Sequence, residues 1–278
     1  KLYPVIIDHK LRKESTIEAK NLKYKLKQNF KINCKILSKK IVKINKNIQS
    51  YARDLRYDLF FEECNKQKID YLILGHHKDD LIENFFIRFL RGSGLKGLVS
   101  FDRNVINYNG IKVIRPFLST SKKDLLKTNK KTFGFFIDDP TNNDDKFLRS
   151  RIRKLLINLD KEGLKFNKFY LTLKNLSKSD QVIEFYVDKN ILENSKYFEK
   201  DKKIILNQSF FNNPEEIILR SIIQVIKRIS WKKNYPRGKK VNSLIDSIKF
   251  SNKNVKLTLS GCIIEKIQDS VIIYPEKR

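Results

Sequence analysis

With 278 residues, 40% of them hydrophobic, the chain is long enough for one large or two ordinary domains with real cores. The formal net charge of +28 is spread along it, with 35 basic and 18 acidic residues through Asp160 and 24 and 13 after it. Such a surface favours polyanions, nucleic acid before acidic membrane, and no long uncharged apolar run speaks for a membrane span. Lys, Asn and Ile are abundant together, so genome composition explains many lysines; it explains the shortage of acid less well. Cys34, Cys64 and Cys262 lie far apart and form no Cys-x-x-Cys pair. They suggest no disulfide framework, which fits a reducing, cytoplasmic setting.

In chain order, Val5-Ile6-Ile7 within Leu2–Asp8 reads as a strand ending in the polar turn Asp8-His9-Lys10-Leu11-Arg12. Ser15 and Glu18 have the spacing of a capping box, which predicts a helix from there to about Asn29. Ile32–Leu37 is the next expected strand. Strand, helix, strand argues for a parallel sheet with crossover connections. Ile48, Ala52, Leu55, Leu59 and Phe60 mark a helix ending near Lys66, with Arg56 in or beside its apolar stripe. A guanidinium there is either a border residue with its head in water or a fixed cation facing an anion above the sheet.

Tyr71-Leu72-Ile73-Leu74 is a short buried strand that stops at Gly75, followed by His76-His77-Lys78-Asp79-Asp80. Leu81, Ile82, Phe85, Phe86, Phe89 and Leu90 then form one face of a helix, and Asp80 with Glu83 places its start at Asp80 by capping-box spacing. Two imidazoles and three carboxylates therefore crowd a strand-to-helix turn, where open α/β sheets bind ligands. The spacing leaves open whether Asp80 and Glu83 only cap the helix or carry chemistry. A metal site is the weaker reading, because no second ligand pair supports it. Arg91-Gly92-Ser93-Gly94 ends the helix with a cation and a pliable backbone.

Ile111–Ile114 is a further expected strand, ended by Arg115-Pro116. Ser121 to Asp124 opens a helix, and Asp138–Asn142 is a turn. A basic helix with Arg149, Arg151, Arg153 and Lys154 follows; Arg149 and Arg153 share a face, either a solvated surface or a set of phosphate contacts. After about Asn158 the pattern changes. Leu164–Lys196 has helical periodicity, Pro214-Glu215-Glu216 opens a strongly apolar helix, and Pro236-Arg237-Gly238 breaks the chain. Val255–Leu259, Ile263-Ile264 and Ser270–Tyr274 read as strands. The division expected is 1–158 and 159–278, an α/β domain followed by a smaller α+β domain.

The block Gly75-His76-His77-Lys78-Asp79-Asp80 through Leu90-Arg91-Gly92-Ser93-Gly94-Leu95 closely resembles the bacterial tRNA(Ile)-lysidine synthetases, members of the PP-loop ATP pyrophosphatases. Gln49-Ser50-Tyr51-Ala52-Arg53-Asp54-Leu55-Arg56-Tyr57 matches another family pattern without a gap. Asp8-His9-Lys10-Leu11-Arg12 resembles the family's turn after its second strand, with Lys10 where the family has glycine. Leu259-Ser260-Gly261-Cys262 resembles its second-domain hairpin more weakly, and the resemblance implies that 1–158 is the catalytic domain without its first strand and phosphate loop and 159–278 an accessory tRNA-binding domain. The resemblance implies a Rossmann-like PP-loop domain and ATP-dependent ligation of lysine to C2 of the wobble cytidine of isoleucine tRNA (CAU anticodon). The route would be an adenylated base, with AMP and pyrophosphate as by-products.

On this resemblance Arg56, Asp80 and Glu83 are the catalytic candidates, Asp80 and Glu83 hold the lysine ammonium, and Gly75 and His76 border ATP. Arg91, Arg149, Arg151 and Arg153 are the candidate tRNA contacts, no protein metal site is expected, and Mg²⁺ would accompany ATP. The partners implied are the tRNA and free L-lysine, with a homodimer left open. The family's Ser-Gly-Gly-x-Asp-Ser loop does not occur in residues 1–278, which also contain no Met. The expectation is a chain whose start lies upstream, and a 1–278 polypeptide that is inactive by itself. Two alternatives remain at this point: a PP-loop tRNA thiolase, against which the lone cysteines speak, and a non-catalytic tRNA-binding relative.

Overall fold

The computed structural model describes residues 2–10, 13–39, 48–101, 105–108, 110–136, 146–231, 236, 238–251 and 254–276. The expected turn at 138–142, Leu11, Arg12, Arg237 and the side chains of Gln49 and Ser50 lie outside the described residues. The chain forms two compact units, Lys1–Tyr170 and Leu171–Arg278. The first ends later than the expected position 158, because Leu159, Leu164, Phe166 and Phe169 pack around Ile82, Ile152 and Leu156.

The first unit runs β1 (Val5–Asp8), α1 (Lys13–Phe30), β2 (Lys35–Ser38), α2 (Ile48–Gln67), β3 (Tyr71–Ile73), α3 (Lys78–Phe89), α4 (Leu95–Val99), β4 (Val105–Tyr108), β5 (Ile111–Ile114), α5 (Lys122–Phe133) and α6 (Leu148–Lys161). β1 pairs in parallel with β2, and β3 in parallel with β5, as the alternation of elements predicts. β4 runs antiparallel to β5 with Tyr108 opposite Ile111. This hairpin is not among the expected elements. Its signal is Asn109-Gly110 between two apolar runs, a strong two-residue turn pair.

α2 serves both strand groups. Leu55 and Leu59 pack with Leu37, Val5 and Ile7 on the β1–β2 side. Cys64, Tyr57, Phe60 and Phe61 pack with Leu72, Leu74, Ile111 and Val113 on the β3–β5 side. An amphipathic helix with a wide apolar stripe does this without a break.

The start of α1 differs from the expected capping box. The helix begins at Lys13, so Ser15 lies inside its first turn. Ser15 and Thr16 instead donate hydroxyl hydrogen bonds to buried Asp8 at the end of β1, at 2.9 and 2.7 Å, and the Lys10 amide adds a third at 2.9 Å. Burial opposes the charge on Asp8, but the donors from Thr16, Lys10 and Ser15 outweigh it and hold the carboxyl below its usual range. Lys10 takes φ 49°, the left-handed conformation that glycine adopts without a Cβ penalty. The turn therefore keeps the glycine geometry despite the lysine.

The second unit contains most of α7 (Phe166–Asn194), then β6 (Ser195–Phe198), β7 (Lys203–Leu206), a 3₁₀ turn (Gln208–Phe211), α8 (Glu215–Ile229), α9 (Gly238–Phe250), β8 (Val255–Leu259), β9 (Cys262–Ile267) and β10 (Ser270–Pro275). Its sheet has the order β6-β7-β10-β9-β8, antiparallel throughout. Ser260 and Gly261, at φ 52° and 80°, close the β8–β9 hairpin between Leu259 and Cys262. α8 and α9 bury Ile218, Ile222, Val225, Ile226, Val241 and Ile248 against one sheet face. α8 also meets α7 through a buried polar seam. Arg220 donates to Asp180 at 2.6 Å, to Glu184 at 3.1 Å and to Glu216 at 2.6 Å.

Asp180→Ala would leave the buried Arg220 guanidinium short of its best counter-charge. The expected loss is about 3 kcal/mol of unfolding free energy, read from the urea midpoint at constant slope. A loss below about 0.5 kcal/mol would mean the seam contributes little.

Candidate active site

β3 continues as Leu74, whose amide donates to the Ile114 carbonyl at 2.9 Å. The chain then crosses Gly75 and His76 and enters α3, beside the β5 extension, with His77 bridged to Phe117. The N-cap of α3 is His77 and not Asp80. Its Nδ1 accepts from the Asp80 amide at 3.4 Å, and Asp80 Oδ2 accepts from the His77 amide at 3.1 Å. The capping box expected at Asp80–Glu83 thus sits three residues earlier. An imidazole nitrogen supplies the acceptor that Ser, Thr or Asp usually provides.

Each residue of this turn has a separate partner. Lys78 Nζ donates to Asn167 at 2.5 Å and lies 5.2 Å from the Tyr170 ring centroid. Asp79 Oδ2 accepts from the Lys122 amide at 2.7 Å, tying the start of α5 to that of α3. Burial opposes the Asp79 charge, but bonds from His77 and the Lys122 amide hold the carboxyl below its usual range.

Shifting the cap frees Glu83 for another task. Arg149 Nε donates to Glu83 Oε2 at 2.5 Å, and its Nη2 donates to Asp80 Oδ1 at 2.7 Å. Arg153 Nε donates to Glu83 Oε1 at 2.6 Å. Glu83 is buried, with 5% of its side chain exposed against 13% for Asp80. The Arg149–Arg153 face of α6 is not wholly solvated, with 36% and 28% of these side chains exposed. It is the counter-charge of the acidic pair on α3, over an apolar floor of Ile82, Ile152 and Leu156. Arg151 and Arg91 are exposed.

Arg56 is half-buried on α2. Its Nε and Nη2 lie 3.3 and 3.2 Å from His9 Nε2, so His9 presents a lone pair there. Among the described residues no carboxylate lies within ion-pair distance of Arg56. Burial, then the Arg53 and Arg149 charges, push its pKa down, with Tyr57 opposing. A cation held under such conditions is suited to an anionic ligand.

His76 stacks edge-on against Phe101, centroids 4.9 Å apart, and Phe101 also carries the Arg115 guanidinium 4.4 Å from its ring centroid. Burial drives the His76 pKa down to about 4; Asp80 pulls the other way, and Arg115, Arg53 and Arg149 add to the fall. The ring is neutral near pH 7, and among the described residues its buried Nδ1 has no protein partner. A Cβ added at Gly75 would meet nothing within 4 Å, so protein packing does not demand glycine there. Gly97 differs, since a Cβ would come within 2.9 Å of Ser93 Cβ.

Sequence reading thus names Arg56, Gly75, His76, Asp80 and Glu83, and missed the parts of His77, Asp79, Arg53 and Arg115. The signal for Arg115 was Arg-Pro directly after an apolar strand. The cysteines are free and buried, and burial pushes the Cys34 and Cys64 thiols up, the wrong direction for a reactive thiolate.

Parallel strand pairs with a charged cluster beyond their carboxyl ends define an α/β protein of the open-sheet, ligand-binding class. A family model described as PP-loop domain matches residues 1–159, and the chain belongs to that family. Relatives of this chain carry the name tRNA(Ile)-lysidine synthase. The one from Orientia tsutsugamushi (strain Boryong) is 38% identical over 65% of this chain and 43% of its own length. The one from Wolbachia pipientis wMel is 32% identical over 97% and 62%, and that from Rickettsia typhi 30% over 99% and 63%. The resemblance read from the motifs is thereby borne out, and the chain spans 43–63% of the length of these relatives. Among solved structures, the U34-tRNA thiolase NcsA from Methanococcus maripaludis is similar at a TM-score of 0.49 and 17% identity, over 63% of this chain and 59% of that chain.

Glu83→Gln would remove the charged acceptor that Arg149 and Arg153 share. A loss of about 2–3 kcal/mol is expected, and a double-mutant cycle with Arg153→Ala should return a coupling of at least about 1 kcal/mol. Additive single effects would show that the pair contributes nothing. The pH dependence has a definite sign. Between about pH 4 and 6.5 the unfolded chain holds the His76 proton that the folded chain rejects. Unfolding free energy therefore falls as pH is lowered through that window, and His76→Gln should flatten that part of the curve. An unchanged curve would contradict the burial of a neutral His76.

Proposed function

We propose that this chain is the lysine-ligating part of a tRNA(Ile)-lysidine synthetase. It would use ATP to attach free L-lysine to C2 of the wobble cytidine of an isoleucine tRNA with a CAU anticodon, in the cytoplasm. The observation that carries this reading is similarity along nearly the whole chain to proteins of that name. The site chemistry supports it.

In the first step the cytidine O2 attacks the α-phosphorus of ATP and pyrophosphate leaves. In the second the lysine ε-amine attacks C2, loses a proton, and AMP departs with the former O2. Arg56, without a carboxylate partner among the described residues, would bind phosphate and stabilise charge in the first step. Gly75 and the unpartnered Nδ1 of neutral His76 would border the nucleotide. Among the described residues no group of three or more His, Cys, Asp and Glu side chains is arranged to hold a metal ion. Mg²⁺ would accompany ATP and neutralise its phosphates.

Asp80 and Glu83 would hold the lysine ammonium. Asp80 is the less buried of the two, so an incoming ammonium reaches it first. Either carboxylate is suited to accept the proton that the amine sheds. Arg149 and Arg153 keep this acidic pair oriented. Arg91 and Arg151, exposed and cationic, are suited to tRNA phosphates, with Arg149 and Arg153 behind them. The same reading allows a homodimer.

In the full gene product, Asp80→Asn should raise the lysine KM roughly ten- to a hundredfold, the loss of about 1.5–3 kcal/mol from one charge-assisted contact, and leave ATP affinity unchanged. Arg56→Ala should instead slow formation of adenylated tRNA measured without lysine. If Asp80→Asn leaves lysine KM and turnover intact and lowers only the melting temperature, the carboxylate is structural. If the unmodified protein binds tRNA but releases no AMP, the chain belongs to a non-catalytic relative.

A further inference from the structure

The five-stranded sheet of the second unit has two faces of different chemistry. Ile204, Leu206, Cys262, Ile264, Val271 and Ile273 point to the core under α8 and α9. Strand pleating sends alternate residues the other way, and the registers Phe198↔Lys203, Lys196↔Ile205, Ile272↔Ile205 and Tyr274↔Ile263 align them on one surface. Phe198, Ile205, Ile272 and Tyr274 are half-buried and are not part of the core on the other face. They form an apolar strip across three strands, β6, β7 and β10.

Cations flank this strip. The Lys196 and Lys203 ammonium groups lie 5.5 and 5.3 Å from the centroid of the same Phe198 ring. Lys203 also pairs with Asp201 at 2.8 Å, whereas among the described residues Lys196 has no carboxylate partner. At the other end Glu265 is already engaged, by Tyr274 Oη at 3.1 Å and Lys256 at 3.8 Å. Two lysines held against one aromatic ring repel each other, and an anion between them relieves that repulsion. The unit as a whole carries 21 basic and 12 acidic residues.

A protein partner fits this surface poorly, since the centres of protein interfaces are depleted in lysine. A nucleotide fits it, because its base has an apolar face and its phosphate a negative charge. Open antiparallel sheets with aromatic side chains are stacking platforms for unpaired bases. We propose that this face binds an unpaired RNA nucleotide, its base against Phe198 and its flanking phosphates at Lys196 and Lys203. That the RNA is a tRNA rests on the reaction proposed above.

The test is equilibrium binding of the full gene product to isoleucine tRNA and to a short single-stranded RNA, by fluorescence anisotropy over a range of salt. Phe198→Leu keeps apolar bulk and removes the stacking ring; it should weaken binding of both RNAs roughly tenfold. Lys196→Ala, at an exposed position, should flatten the slope of log K against log salt by about 0.7–0.9. Photo-cross-linking with thiouridine-substituted RNA should label the peptide containing Phe198. Unchanged affinity for Phe198→Leu, or cross-links confined to the first unit, would overturn the proposal. If Phe198→Leu is misfolded by circular dichroism, the Lys196→Ala slope and the cross-link decide instead. Phe198-dependent RNA binding in a protein that releases no AMP would uphold this surface and count against the ligase reading.

Discussion

Glu83 has few places to go. It sits one turn into α3, its side chain nearly sealed from water, and a bare carboxylate there would cost several kcal/mol. Arg149 and Arg153, one turn apart on α6, supply two guanidiniums at the matching spacing. Arg149 reaches past Glu83 to Asp80, so a single cation fixes the relation between the two acids. The apolar floor of Ile82, Ile152 and Leu156 packs only if these charges pair, and the pairs form only if α6 lies on α3. Charge and packing thus specify one arrangement, and the end of β3, Gly75 and His76 are held against it through the His77 cap.

The same arrangement sets the chemistry. Two acids and two guanidiniums balance in charge, while among the described residues Arg56 has no carboxylate partner and burial keeps His76 neutral. On the function proposed, a lysine ammonium would share Asp80 and Glu83 with these guanidiniums, and the Arg56 side would take phosphate. Lysine ligation needs both in one site, along with an exit for the amine's proton.

Much of this was legible in the sequence. Apolar runs ending in Gly75 or Asp8 marked strands, and the 3.6-residue rhythm marked α2, α3, α6 and α8. The departures share a cause, which is that local spacing does not reveal long-range partners. Ser15 and Glu18 mimic a capping box, but Ser15 is drawn to Asp8, seven residues back. Asp80 and Glu83 mimic another, yet Glu83 bonds to residues 66 and 70 positions away. Arg149 and Arg153 look like a solvated face until the acids on α3 are set beside them. β6 begins at Ser195 directly after α7 ends at Asn194, with no Gly or Pro to mark the change, so its start reads as the end of the helical stretch Leu164–Lys196. Lys10, which departs from the glycine of the resembling turn, adopts the left-handed φ that the turn requires.

On the function proposed, one site in this protein joins a lysine amine to a tRNA base at the expense of ATP. The most direct measurement supplies the full gene product with ATP, isotopically labelled lysine and isoleucine tRNA, and reads the digested nucleosides by mass spectrometry. The account predicts labelled lysine on a single anticodon cytidine, dependent on ATP and greatly reduced for Asp80→Asn at low lysine. A tRNA that binds but returns with its cytidine unchanged, or label that is indifferent to Asp80, would contradict it.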